Sequence, residues 1–140
     1  ITTGTSAAAV ATASLFFINI RKKTSASSIF ILGLFLVFLG FFSLSQISNL
    51  NFIYPCIIIS GAGFGLIQAN MFTWILDITP SVFRGRISGG IAMTTFGGQF
   101  LSPILSQPII EIYGNQYSFL YFSMIMGLLS IFIFFCRNKI

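Results

Sequence analysis

Long apolar runs, broken by short polar or charged clusters, dominate this 140-residue chain. A helix that crosses the hydrocarbon core of a bilayer takes about 20 mostly apolar residues, within a range of roughly 17 to 25. The clusters cut the chain into five stretches of that size: 1–20, 29–45, 52–76, 87–110 and 118–136. Arg21, Lys22 and Lys23 close the first, and a polar turn over 46–51 separates the second from the third. Asp77 and the loop over 80–86 precede the fourth, and Glu111, Gly114 and Asn115 precede the fifth. No connection is long enough for a soluble domain. The pattern predicts an all-α integral membrane protein with five transmembrane helices.

Composition sharpens this reading. Charged residues make up 6% of the chain, hydrophobic residues 56%, and the mean hydropathy is +0.97. A soluble domain carries roughly 25% charged residues, so this chain cannot cover itself with water-compatible groups. Histidine is absent, which removes the commonest metal ligand and neutral-pH base. With no nucleophile–base or metal constellation, the chain is expected not to be an enzyme and to need no cofactor or metal. Its pI of 9.7 raises nucleic acid as a partner, but seven scattered bases form no basic face. Cys56 and Cys136 fall near opposite ends of their spans, about 30 Å apart. A disulfide reaches only about 7 Å between Cα atoms, so they are expected to stay unpaired.

Charge placement sets the expected orientation. Arg21, Lys22, Lys23, Arg84, Arg86, Arg137 and Lys139 are all seven bases of the chain, and all fall on connections of one parity. The opposite connections hold none, and one carries Glu111. The excess of Lys and Arg in cytoplasmic loops predicts that the base-bearing side and the carboxy terminus are cytoplasmic, in a multi-pass protein of the cell membrane. The amino end then starts outside without an initiator Met or a signal-peptide pattern. The expectation is a fragment: the carboxy-terminal piece of a larger protein.

The five helices differ in kind. The second and fifth are bulky and nearly free of polar side chains, as suits a lipid-facing rim. The first, third and fourth are rich in Gly, Ala, Ser, Thr and amides, and small residues let helices approach closely in lipid. In the fourth, Ser88, Ala92, Thr95, Gln99, Ser102 and Ser106 share a face. In the third, Gly61, Gly65, Gln68 and Phe72 form a matching one. Amides in hydrocarbon require a partner or water, so these faces either pack together or line a substrate path. Pro103 permits a bend in the fourth helix. In the connecting loop, Thr79 reads as an N-cap with Pro80 at the first helical position. Asp77 is expected to pair with Arg84 or Arg86 as a cytoplasmic latch. Gly85 and Gly89, with Gly90 beside them, are expected to bring this helix end close against a neighbour.

These motifs resemble a known family. Gly61-Ala62-Gly63-Phe64-Gly65, then 74–80 (Trp-Ile-Leu-Asp-Ile-Thr-Pro), then Arg84-Gly85-Arg86 resemble the tenth and eleventh helices of major facilitator superfamily transporters. The stretch from Gly89-Gly90 through Phe96-Gly97-Gly98-Gln99-Phe100-Leu101-Ser102-Pro103 is similar to the drug:proton antiporter and sugar-efflux branches. The resemblance implies that the chain is helices eight to twelve of twelve, most of a carboxy-terminal six-helix bundle. It implies that the first, third and fourth spans face a central cavity and that the second and fifth face lipid. The basic loop at Arg21 departs from the family pattern by lacking an acidic residue and a Gly-Arg-Arg run. No acid lies deep in a span, so a proton-coupling carboxylate would lie elsewhere in the carrier.

The expected function is transport of a small solute by alternating access, as efflux through a proton-coupled secondary carrier. Gln68, Asn70, Thr95, Gln99 and Ser102 are the candidate pathway groups. The expected partners are the lipid bilayer, a small-molecule substrate and the amino-terminal part of the same protein. The alternative is a small non-transporting membrane subunit or assembly factor whose polar faces pair wholly with a partner. The charge split gives a direct test. Reporter fusions after Lys23, Arg86 and Lys139 should read cytoplasmic, and those after Asn49 and Asn115 external. Any reversal would remove a span from the scheme.

Overall fold

The computed structural model describes residues 4, 8, 10–12, 17, 21, 24–47 and 52–136. Most of the first expected span, Lys22, Lys23, Arg137 and Lys139 lie outside the described residues. Among those described, every regular element is helical: α1 (Ala26–Gln46), α2 (Ile53–Ile78), a 3-10 turn (Ser81–Phe83) and α3 (Arg84–Cys136). Three stretches are long and apolar enough to cross a membrane: α1, α2 and Ser81–Cys136. A backbone in hydrocarbon must satisfy its own polar groups, and a helix does so within each segment.

Local sequence sets the ends. Ser25 precedes α1 in extended conformation, and its hydroxyl lies 3.0 Å from that of Ser28. Pro55 falls in the first turn of α2, where its missing N–H has no intrahelical role. At the other end Pro80 disfavours helical backbone for the residue before it. Thr79 is accordingly extended (φ −95°, ψ 128°), and α2 stops at Ile78. Thr79 is thus the C-cap of α2 rather than the N-cap of the next helix. Its hydroxyl donates to the Ile75 carbonyl at 2.6 Å, and Pro80 precedes the 3-10 turn instead of opening α3.

The 53 residues of α3 would extend about 80 Å if straight, well over twice the hydrocarbon thickness. They are not straight. Gly114 (φ 79°, ψ 168°) is the one non-helical residue inside α3, in a region essentially closed to side-chain-bearing residues. Ser102 and Ser106 of the first leg share a groove of about 380 Å³ with Phe119, Phe122 and Met126 of the second. A straight helix would hold Ser102 and Met126 about 36 Å apart, so the legs fold back on one another. The loop expected between 110 and 118 is compressed into a single glycine. Helical backbone angles continue through Pro103 and Pro108, so the expected hinge residue lies within an unbroken helix.

Packing centres on α1, which contacts both α2 and α3 broadly, while α2 and α3 share little. Ile29, Gly33, Val37 and Gly40 form its buried face. A Cβ on Gly33 would come within 2.6 Å of Ile67 Cγ1, and one on Gly40 within 2.6 Å of Ser60 Cβ. From the other side, a Cβ on Gly63 would meet the Gly33 carbonyl oxygen at 2.6 Å. Another face of α1 meets the second leg of α3. Phe38 lies over Gly127, Phe41 approaches Phe119 with centroids 6.0 Å apart, and Ser130 Oγ donates to the Ile31 carbonyl at 3.3 Å. Leu32, Phe35, Leu39 and Phe42 remain exposed as a lipid-suited stripe. The second expected span is therefore only partly a rim helix: two of its faces hold the fold together. Ile29 also joins Phe17 and Leu66 in a small buried cluster.

The α1–α2 contact gives a prediction. Gly63→Leu should lower the stability of the purified protein by about 1–3 kcal/mol, the usual range for overpacking. Gly98→Ala, in open space, should be neutral or gain up to about 1 kcal/mol from helix propensity. Thermal unfolding in detergent distinguishes the two. Equal melting of Gly63→Leu and the parent chain would show that this approach does not hold the helices.

Candidate functional site

The polar chemistry of the described residues gathers at two places: one end of the α1–α2 pair, and the exposed face of the first leg of α3. At the first, Asn70 is fully buried in α2. Its amide nitrogen donates to the Ala26 carbonyl in the first turn of α1 at 2.9 Å, and its oxygen accepts from Arg21 at 3.3 Å. The other arm of the same guanidinium donates to Asp77 Oδ2 at 2.5 Å. Arg21 also lies 5.8 Å from the centre of the Phe17 ring. One cation thereby links the end of the first expected span to α2, and Asn70 links α2 to α1.

This arrangement revises three expectations. Asp77 pairs with Arg21 and not across its own turn. Arg84 instead donates through Nε to the Thr79 carbonyl at 3.3 Å, and Arg86 is exposed, with no ion-pair or hydrogen-bond partner among the described residues. The short basic loop, without an acid of its own, borrows one from α2 two turns past Asn70. Asn70 itself is an interior link between helices, so its position speaks against a role as a pathway group.

The second place is the stripe on α3. Gln99 and Ser102 are exposed; Ser88, Ala92, Thr95 and Ser106 are half-buried. Thr95 uses its hydroxyl within the helix, donating to the Ile91 carbonyl at 2.8 Å. Thr94 does the same towards Gly90 and Ile91. Such back-bonding satisfies hydroxyls in an apolar setting without a second helix. Gln99 has no such outlet and presents its amide outward. On α2, Gln68 is likewise exposed, while Gly61 and Gly65 are buried. The matching faces of α2 and α3 do not meet, because these helices scarcely touch.

Among the described residues, Gly85, Gly89 and Gly90 have nothing within 4 Å of where a Cβ would stand, so none of those residues makes the close approach expected at that helix end. Close approach is instead seen among the described residues at Gly33, Gly40 and Gly63, and Gly61 and Gly65 are buried in α2. Sequence reading passed over the first two because bulky residues surround them, although a spacing of seven puts them on one helix face. Cys56 and Cys136 are both free thiols. Among the described residues no group of His, Cys, Asp and Glu gathers that could hold a metal ion.

A chain of long apolar helices, with small-residue contacts and a polar stripe, is an integral membrane protein of the multi-pass class. The family model of the Major Facilitator Superfamily matches residues 1–139, and the chain belongs to that superfamily of membrane transporters. Comparison with curated proteins and with solved structures returned no match.

Burial separates the two halves of the polar cluster and gives a prediction. The Arg21 and Asp77 side chains are 26% and 60% exposed, and pairs of that exposure contribute about 0–1 kcal/mol. Asp77→Asn should therefore shift stability by less than about 1 kcal/mol. Asn70→Ala removes a fully buried side chain with its hydrogen bonds to the Ala26 carbonyl and to Arg21, and should cost about 1–3 kcal/mol, at about 0.5–1.5 kcal/mol per bond. Thermal unfolding of the two variants checks the order, and a larger loss from Asp77→Asn would reverse these assignments.

Proposed function

We propose that this chain is part of a secondary carrier that exports a small solute by alternating access, coupled to protons. In this reading the chain supplies helices eight to twelve of the carrier, and an amino-terminal part of the same protein supplies the opposing wall. Membership of a transporter superfamily supports the general reading. The single observation that carries the placement of the path is the exposed polar stripe of α3. Gln99 and Ser102 stand open on a helix whose surroundings are otherwise apolar, and an unpaired amide facing hydrocarbon is costly. A water-filled path bounded by the opposing wall removes that cost. Gln68, Thr95, Gln99 and Ser102 are the proposed pathway groups, with Asn70 reassigned to holding α1 and α2 together. The substrate then sits near the bilayer midplane between the two halves, as is general for such carriers.

The cytoplasmic latch is proposed at Asp77 with Arg21 as its partner. A partly exposed pair of small net worth can break and reform as the halves rock. The seven bases on one side support a cytoplasmic carboxy terminus in the cell membrane.

Inverted membrane vesicles carrying the full protein test this reading. With the interior acidified, they should accumulate one or more members of a panel of fluorescent organic cations and labelled sugars, and a protonophore should abolish the accumulation. Gln99→Leu should reduce it at least tenfold while leaving the amount of protein in the membrane unchanged. Normal flux in that variant would demote the stripe to helix packing, and flux indifferent to the gradient would remove proton coupling.

A further inference from the structure

The connection from α2 to α3 combines features that neither the fold nor the transport reading uses. Ile78 is 64% exposed, Val82 82% and Phe83 50%, although all three are apolar. Arg84 and Arg86 stand exposed directly beside them. Arg84 Nε is held on the Thr79 carbonyl, which leaves the two terminal nitrogens of its guanidinium free. Arg86 is unpaired among the described residues. Between the arginines, Gly85 has open space around it, so nothing shields the backbone at the start of α3. One helical turn before Ile78, Trp74 is 46% exposed, and Trp favours the level where headgroups meet acyl chains.

We propose that residues 78–86 form a docking surface for anionic phospholipid headgroups in the leaflet that this connection meets. Val82 and Phe83, raised on the 3-10 turn, enter the boundary between headgroups and acyl chains. Arg84 and Arg86 extend on opposite sides of the helix start and bind phosphates there. Their aliphatic stems lie along the apolar boundary and their charged heads reach outward. Charge complementarity selects the occupant: two cations without a carboxylate partner among the described residues, set among exposed apolar side chains, match a lipid that is both anionic and amphiphilic. A soluble anion would leave Val82 and Phe83 in water, and a zwitterionic headgroup would leave the cations without net compensation. The proposal rests on the membrane-spanning reading and is independent of what, if anything, is transported.

Trp74 is the chain's single tryptophan, and it reports on the lipid beside this connection. The 140-residue chain is reconstituted in mixed phosphatidylcholine and phosphatidylglycerol vesicles, with one lipid at a time brominated near its headgroup to quench Trp74. At equal mole fraction, brominated phosphatidylglycerol should quench as though locally enriched about fivefold or more, the effect of roughly one arginine near an anionic surface. Enrichment should fall as salt is raised and should vanish in Arg84→Gln/Arg86→Gln. That variant should keep its quenching by brominated phosphatidylcholine in a phosphatidylcholine host, which shows that it is inserted and folded. Removing two charges elsewhere, in Lys22→Gln/Lys23→Gln, should leave the enrichment intact. Equal quenching by the two lipids in the parent chain would overturn the proposal. So would enrichment that survives the arginine substitutions, or an equal loss from the lysine pair, which would mean diffuse surface charge. A failed transport assay would touch none of these results.

Discussion

Hydrocarbon offers a peptide backbone no water to bond, and that constraint governs everything else here. It forces the chain into long helices and makes each end of a helix a place where polar groups must be rehoused. The hydroxyls show the same pressure. Thr73, Thr79, Thr95, Ser118 and Ser123 each donate to a carbonyl of their own helix three or four residues earlier. With backbone and hydroxyls satisfied locally, few polar groups remain to join helices. Those that do so among the described residues are Ser130, which reaches Ile31, Asn70, which binds both Ala26 and Arg21, and Asp77, which pairs with the same Arg21.

What joins the helices otherwise is close approach. Water exclusion does little between helices already in an apolar solvent, so van der Waals contact must do the work. Gly33 and Gly40 of α1 let Ser60, Gly63 and Ile67 of α2 come near enough that any added Cβ would clash. On its next face the same helix supplies Phe38 and Phe41 to the second leg of α3. α1 is thus the hub of the described structure, and its most exposed side chains, Leu32 and Phe35 among them, occupy the remaining face. The first leg of α3 is held far less. It carries the exposed Gln99 and Ser102.

The helix ends hold the rest of the chemistry. Pro80 ends α2 through its effect on Thr79, and after the resulting turn Arg84 is tied to the Thr79 carbonyl while Arg86 is exposed. That leaves Asp77 to Arg21, which Asn70 also anchors from the interior. A buried amide and a half-exposed carboxylate thus share one guanidinium. Their different burial gives them different weight in stability, more for the buried amide than for the solvent-screened carboxylate.

The amino-acid sequence by itself determined the class. Apolar runs of spanning length and the dearth of charge are properties of composition and period, and they need no partner to be read. A break between the fourth and fifth spans was legible at Glu111, Gly114 and Asn115, and the structure places the fold-back at Gly114 with a backbone conformation that glycine tolerates. The Gly61 to Arg86 motifs pointed to the superfamily that the chain belongs to. Tertiary structure alone decided which residues meet. The choice of Arg21 over Arg84 or Arg86 for Asp77 depends on where three chain segments end in space, and charge spacing along one loop carries no such information. Burial of Asn70 and exposure of Gln68, two residues apart on one helix, depend on which side α1 occupies. The glycines at 33 and 40 were hidden among phenylalanines and leucines, since a helix with several faces can be a rim on one and a close contact on the next.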